Sequence, residues 1–153
     1  MEKTLENFRK LQKVLGRDYS FDYIDSHFDI LIRLIDTRKK YNKFFNEKIW
    51  FNKTDNQIWV FSFIGHYDND IIIQTSTFGK YRGRNDCSET PNVTLDKVLT
   101  LIDSNTLIPL NIEYGEFESV WKGLTSDYYR KIEAFEIKTH NELIDQLFNK
   151  FKL

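Results

Sequence analysis

Between Ile49 and Thr77 three runs of β-branched and aromatic residues are broken by two short polar stretches, Thr54-Asp55-Asn56 and Gly65–Asn69. This pattern predicts an antiparallel meander with strands over Lys48–Asn52, Gln57–Ile64 and Asp70–Thr77. Plain alternation along the middle strand puts Ile58, Val60, Ser62 and Ile64 on one face and Trp59, Phe61 and Phe63 on the other. Both faces are then largely apolar. Either helices cover both sides of the sheet, or one face is a binding surface.

Around this meander the apolar period changes from two to between three and four. Leu5, Phe8, Leu11 and Leu15 predict a first helix, with Thr4 as N-cap and Gly16 as its stop. A second helix is expected to start after Ser26, with Asp29 completing a capping-box-like start. Its buried stripe is Phe28, Leu31, Leu34, Ile35, Phe44 and Phe45, and Arg38, Lys39, Lys40 and Lys43 fall toward its end, where cations suit the helix dipole. Val93–Ile102 reads as helix, and Thr106–Tyr114 as an edge strand because it contains Pro109. Glu116–Leu124 reads as a short helix and Tyr128–Lys138 as a strand. Thr139-His140-Asn141-Glu142 forms a capping box before a last helix burying Leu143, Leu147 and Phe151. Strands grouped in runs point to a single α+β domain over residues 1–153, with a mostly antiparallel sheet, flanking helices and helical termini.

Composition narrows the picture. Alanine occurs once, at Ala134, whereas 13 Phe, 8 Tyr and 3 Trp are present, so the core is filled by rings together with Ile and Leu. A net charge of -1 gives no overall field toward nucleic acid, which is disfavoured as a partner. With Cys87 alone there is no internal disulfide, which fits a reducing compartment. The charged N-terminus has no signal-peptide core, and no apolar run is long enough to span a membrane. A cytoplasmic, soluble protein without a membrane partner is the expectation.

Chemistry is sparse. The aperiodic stretch Phe78–Asn92 carries Lys80, Tyr81, Arg82 and Arg84, which could grip phosphate or an acidic protein surface, or could simply be a solvated loop. Gly79 and Gly83 do not form a phosphate loop, since no Gly-Lys-Ser/Thr follows. Cys87 needs a histidine base to act as a nucleophile; His66 on its turn could approach it, but the three histidines are distant in sequence and an ordinary thiol is the plainer reading. His66-Tyr67-Asp68-Asn69-Asp70 holds ligand-type side chains, but Asp and Asn serve a hairpin turn equally well, and no metal site is read there. Glu113, Tyr114, Glu116, Glu118 and Trp121 combine rings with acids, as a protein-docking patch would; the plainer reading is a half-buried strand and helix with a polar rim. No catalytic residue and no cofactor is identified.

As a short, motif-poor α+β chain, the sequence resembles the small immunity proteins that neutralise bacterial toxins. That resemblance implies a non-catalytic protein whose partner is another protein, a toxin domain, blocked by steric occlusion. The partner-contacting residues read from the sequence are Glu113, Tyr114, Glu116, Glu118, Trp121, Lys80, Tyr81, Arg82 and Arg84. The alternative is a small enzyme or a nucleotide- or phosphate-binding protein using the basic 78–92 stretch. Convergence of Lys80, Arg82 and Arg84 with His66 or Cys87 would favour it.

Overall fold

The computed structural model describes residues 1–15, 19–46, 48–80, 92–126 and 137–153. In it the three mid-chain runs form β1 (Ile49–Asn52), β2 (Gln57–Tyr67) and β3 (Asp70–Phe78). Their breaks hold side chains that tolerate a left-handed backbone: Asn56 has φ 54° and Asp68 has φ 50°. At the first turn the buried Asn52 accepts hydrogen bonds through Oδ1 from the N–H groups of Thr54 and Asp55, at 3.1 and 3.0 Å. Two further strands, β4 (Asn92–Thr94) and β5 (Leu107–Leu110), complete a sheet of order β4-β3-β2-β1-β5. Every neighbouring pair is antiparallel. Pro109 lies in β5, an edge strand, as its missing N–H requires.

The helices are α1 (Leu5–Leu15), α2 (Phe21–Ser26), α3 (Phe28–Asn46), α4 (Leu95–Asp103), α5 (Tyr114–Thr125) and α6 (Ile137–Lys150). Thr4 caps α1 through its hydroxyl, which accepts from Asn7 N–H. Several sequence expectations are corrected. A helix does start after Ser26, as read, but Ser26 does not cap it: its hydroxyl turns back to the carbonyls of Asp22 and Tyr23 in α2, which Ser20 caps. Lys43 lies in the last turn of α3 as read, but Arg38, Lys39 and Lys40 lie further inside it. Val93 belongs to β4, paired with Ile73, and Thr94 caps the helix that follows. Thr139–Glu142 lies within α6, because the buried face of that helix reaches back one turn from Leu143 and Ile144 to His140. The strand read over Tyr128–Lys138 lies outside the described residues except at Ile137 and Lys138, which are helical. Gly16 also lies outside them.

The sheet is covered on both sides, the first of the two possibilities its apolar faces allowed. On one face α1 to α4 bring Leu11, Ile24, Leu31, Leu34, Phe45 and Val98 against Trp50, Trp59, Phe61, Ile64, Ile71 and Ile73. On the other, Phe117 of α5 and Ile144, Leu147 and Phe148 of α6 pack on Ile49, Ile58 and Val60. The fold is α+β with an antiparallel sheet and helical ends.

The alternation read for β2 fails at one residue. Phe61 pairs with Thr75 and Phe63 with Gln74, so Ser62 is the extra residue of a bulge. Beyond it the phase is reversed: Ile64 joins Trp59 and Phe61 in the first core, 1% exposed, and Phe63 turns to the second face, where it is 42% exposed. Deleting Ser62 would restore an unbroken ladder without moving Ile64 off its face. The shortened protein is expected to stay folded, within about 1–2 kcal/mol of the parent. Urea titration followed by circular dichroism checks this, and loss of the cooperative transition would contradict the assigned register.

Candidate binding site at the bulge of β2

The ladder between β1 and β2 ends at the Trp50–Trp59 pair, so the rest of β2 runs on past the end of its neighbour. A bare strand edge exposes carbonyls that need partners. Here α3 supplies one: Arg38 Nε donates to Ile64 O at 2.9 Å. The same guanidinium lies over the Phe63 ring, 4.8 Å from its centroid. Gly65 makes room for that ring, since a Cβ there would come within 2.8 Å of Phe63 Cε1. Phe63 is thus exposed yet held, between a guanidinium and a backbone lacking a side chain.

A hollow of about 500 Å³ opens beside it. Tyr19, Ser20 and Tyr23 line it from the start of α2, Leu34 and Arg38 from α3, and Phe63, Gly65, His66 and Ile72 from the hairpin. His66 Nδ1 is 3.2 Å from Asp68 O, and a carbonyl only accepts, so Nδ1 carries the proton. Nε2 then accepts from the Tyr23 hydroxyl at 3.0 Å. The Tyr23 ring stacks on Tyr19 and His27, with centroids 5.0 and 4.1 Å apart. Among the described residues that line it are a guanidinium, hydroxyls and flat rings, which suit the binding of a group, and no carboxylate or thiol. Among the described residues no three His, Cys, Asp or Glu side chains are grouped to hold a metal ion. A smaller hollow, about 290 Å³, is lined by Asn46, Phe61, Ser62 and Tyr114. Ser62, the extra residue of the bulge, lines the smaller hollow and Phe63, next to it in the chain, lines the larger.

The residues singled out from the sequence are spread more widely. Glu113 and Glu116 stand at the exposed N-terminal end of α5. Glu118 pairs with Lys122 at 2.5 Å, and the hydrogen bond and charge of Lys122 hold the Glu118 carboxyl below its usual range. Tyr114, 45% exposed, reaches the smaller hollow. Trp121 packs edge-on against Phe78 at 5.0 Å and belongs to the second core rather than to a free surface. Lys80 forms an exposed ion pair with Asp145 of α6 at 2.8 Å. Tyr81, Arg82, Arg84 and Cys87 lie outside the described residues. Lys80 follows β3 beside Gln57, at the far end of the hairpin from His66. At about 3.3 Å per residue, a strand of the length of β2 keeps them on the order of 30 Å apart. His66 therefore shares its hollow with Arg38 and Tyr23, not with Lys80. Sequence reasoning missed Arg38, whose one signal is its position four residues after Leu34, on the buried stripe of α3.

His140, 6% exposed, ties α6 to the end of β3: its Nε2–H donates to Gly79 O at 3.0 Å. Burial pushes the imidazole below its ordinary 6.5, and the bond to Gly79 only partly opposes this. The folded protein therefore binds this proton less readily than the unfolded chain. The stability tied to His140 is complete above the ordinary imidazole value and is lost as pH falls below it. Urea midpoints measured from pH 7 to 5 are expected to fall more steeply in the parent than in His140→Gln; parallel profiles would contradict this.

No family model matches the chain, and neither a curated protein nor a solved structure shows significant similarity to it. Among the described residues no helix is long and apolar enough to cross a membrane.

Proposed function

We propose that this is a non-catalytic protein-binding protein of the toxin-immunity kind, which docks its partner on the bulged stretch of β2 and occludes it. The observation that carries the reading is Phe63: a large ring 42% exposed, with the Arg38 guanidinium over it and Gly65 leaving it room, at the wall of the larger hollow. An ordered aromatic at the centre of a recessed surface is the arrangement found at binding hot spots, since little side-chain freedom remains to be lost on docking. The second helical layer packs at Ile58 and Val60, while Phe63 and its strand partner Gln74 face solvent.

The test is to co-express the protein with the product of the adjacent reading frame in a host that this product poisons. Restored growth, together with a stable complex of the two purified proteins, is the expected result. Continued killing and no complex would remove the reading. The acids of α5 border this surface through Tyr114, so reversing the charge of Glu113, Glu116 and Glu118 together is expected to weaken the complex severalfold without unfolding the protein. Unchanged affinity in a titration would exclude α5 from the interface.

A further inference from the structure

His66 has a second histidine beside it. His27 stands at the joint between α2 and α3, and its ring centre is 5.9 Å from that of His66, with 51° between the planes. Both side chains are half-buried, and both sit on a held backbone. The His27 N–H donates to Tyr23 O at 3.0 Å, and its carbonyl accepts from Leu31 N–H at 2.9 Å. His66 pairs with Ile71 across the hairpin. Ligands borne on such elements keep their spacing.

The two rings also share a tautomer. Nδ1 of His27 is 3.0 Å from Tyr23 O, which can only accept, so Nδ1 carries the proton, as it does in His66 against Asp68 O. The Ser26 hydroxyl oxygen shares that proton of His27 at 3.0 Å. Each ring is left with a lone pair at Nε2. In His66 that lone pair receives the Tyr23 hydroxyl, and in His27 it meets no hydrogen-bond donor among the described residues. An Nδ1–H held by a backbone carbonyl, with Nε2 free to give its lone pair, is how histidines are prepared as metal ligands: the carbonyl fixes the ring and raises the basicity of the other nitrogen. A tetrahedral ion bonded at about 2.0–2.1 Å to each nitrogen sets two imidazole centres about 5–6 Å apart, the separation found here.

We propose that His27 and His66 together bind one divalent transition-metal ion of the kind that favours imidazole, Zn²⁺ or Cu²⁺, through their Nε2 atoms. The ion takes the place of the Tyr23 hydroxyl proton at His66, and water fills its remaining positions. No third His, Cys, Asp or Glu is grouped with the pair among the described residues, so the ion is exchangeable and unlike a structural zinc, which has four protein ligands. Magnesium and calcium, which take oxygen ligands, are not bound here. The bound ion ties the α2–α3 joint to the hairpin end of β2, and binding to the folded protein alone raises its melting temperature. The inference goes beyond the docking reading and holds with or without a protein partner.

The test titrates the full chain, free of any histidine tag, with zinc chloride, copper chloride and magnesium chloride in turn, followed by proton–nitrogen correlation spectra. Zn²⁺ is expected to shift the amides of Tyr23–Phe28 and Gly65–Asp68, saturating at one equivalent, and to move the Nε2 resonances of both imidazoles. Cu²⁺ is expected to broaden the same amides and to bind more tightly, as the order of divalent affinities requires. Mg²⁺ is expected to leave them unchanged. His27→Gln and His66→Gln, made singly and checked for fold by the same spectra, should each weaken Zn²⁺ binding at least about tenfold. Cys87→Ser should leave it unaltered. The imidazole resonances of the parent decide the matter even where a variant fails to fold. Shifts at only one of the two histidines, loss of binding in Cys87→Ser, or no saturable change with Zn²⁺ would overturn the inference.

Discussion

Replacing Trp50 with alanine is expected to cost about 3–5 kcal/mol, the range for deleting a buried large ring. Trp50 is 1% exposed, and its ring meets Phe44, Phe45 and Phe61 at centroid distances of 5.4, 6.3 and 6.1 Å. It joins the C-terminal turn of α3 to the middle of the sheet, so the cavity would open where two elements depend on one side chain. A domain of this size has a total stability of about 5–15 kcal/mol, and the substitution would remove a large share of it. Phenylalanine at the same place should behave differently. The indole Nε1 has no hydrogen-bond partner among the described residues, and an unpaired buried N–H costs about 1–3 kcal/mol. Trp50→Phe gives up ring volume but also removes that cost, and its net effect is expected to be below about 1.5 kcal/mol. Urea unfolding of the three proteins measures both values. A phenylalanine variant as damaged as the alanine variant would show that the indole N–H is bonded after all.

Phe63→Ala is expected to have the opposite profile. The side chain is 42% exposed, so stability should change by about 1 kcal/mol or less. Affinity for the partner should fall at least about 30-fold, the loss of roughly 2 kcal/mol that marks a hot spot. Gly65→Ala is the companion variant. It leaves the ring in place chemically but puts a methyl group within 2.8 Å of Phe63 Cε1, forcing the ring to shift. Weaker binding in that variant as well would show that the position of the ring matters, and not only its area. Isothermal titration against the purified partner, with melting curves as the control for folding, separates this outcome from general destabilisation.

The meander was legible because each of its signals is local: branched and aromatic residues favour strands, and Asn56 and Asp68 occupy the left-handed turn positions. The edge position of β5 was legible from Pro109 alone. The bulge was not, because Ser62 is an ordinary strand residue and no glycine marks the extra position. That single shift decides which ring faces solvent. The place of Arg38 in α3 was not legible, because a cation near the middle of a helix looks the same in sequence as one complementing its dipole; only the sheet edge beside Arg38 distinguishes them. The three-residue β4 is too short to interrupt the helical period that follows it, so Val93 was assigned to the helix. The larger hollow is assembled from residues near 19–23, 34–38 and 63–72, each unremarkable in its own segment. Long-range packing brings them together, which local patterning does not record.

Hydrogen exchange of the protein alone and in complex with its captured partner tests the central claim most directly. The account predicts slowed exchange at Ser62–Tyr67 and along the start of α2, with the hairpin end near Lys80 unchanged. Protection confined to α6 and the Lys80 end, with the bulge exchanging as it does in the free protein, would contradict it.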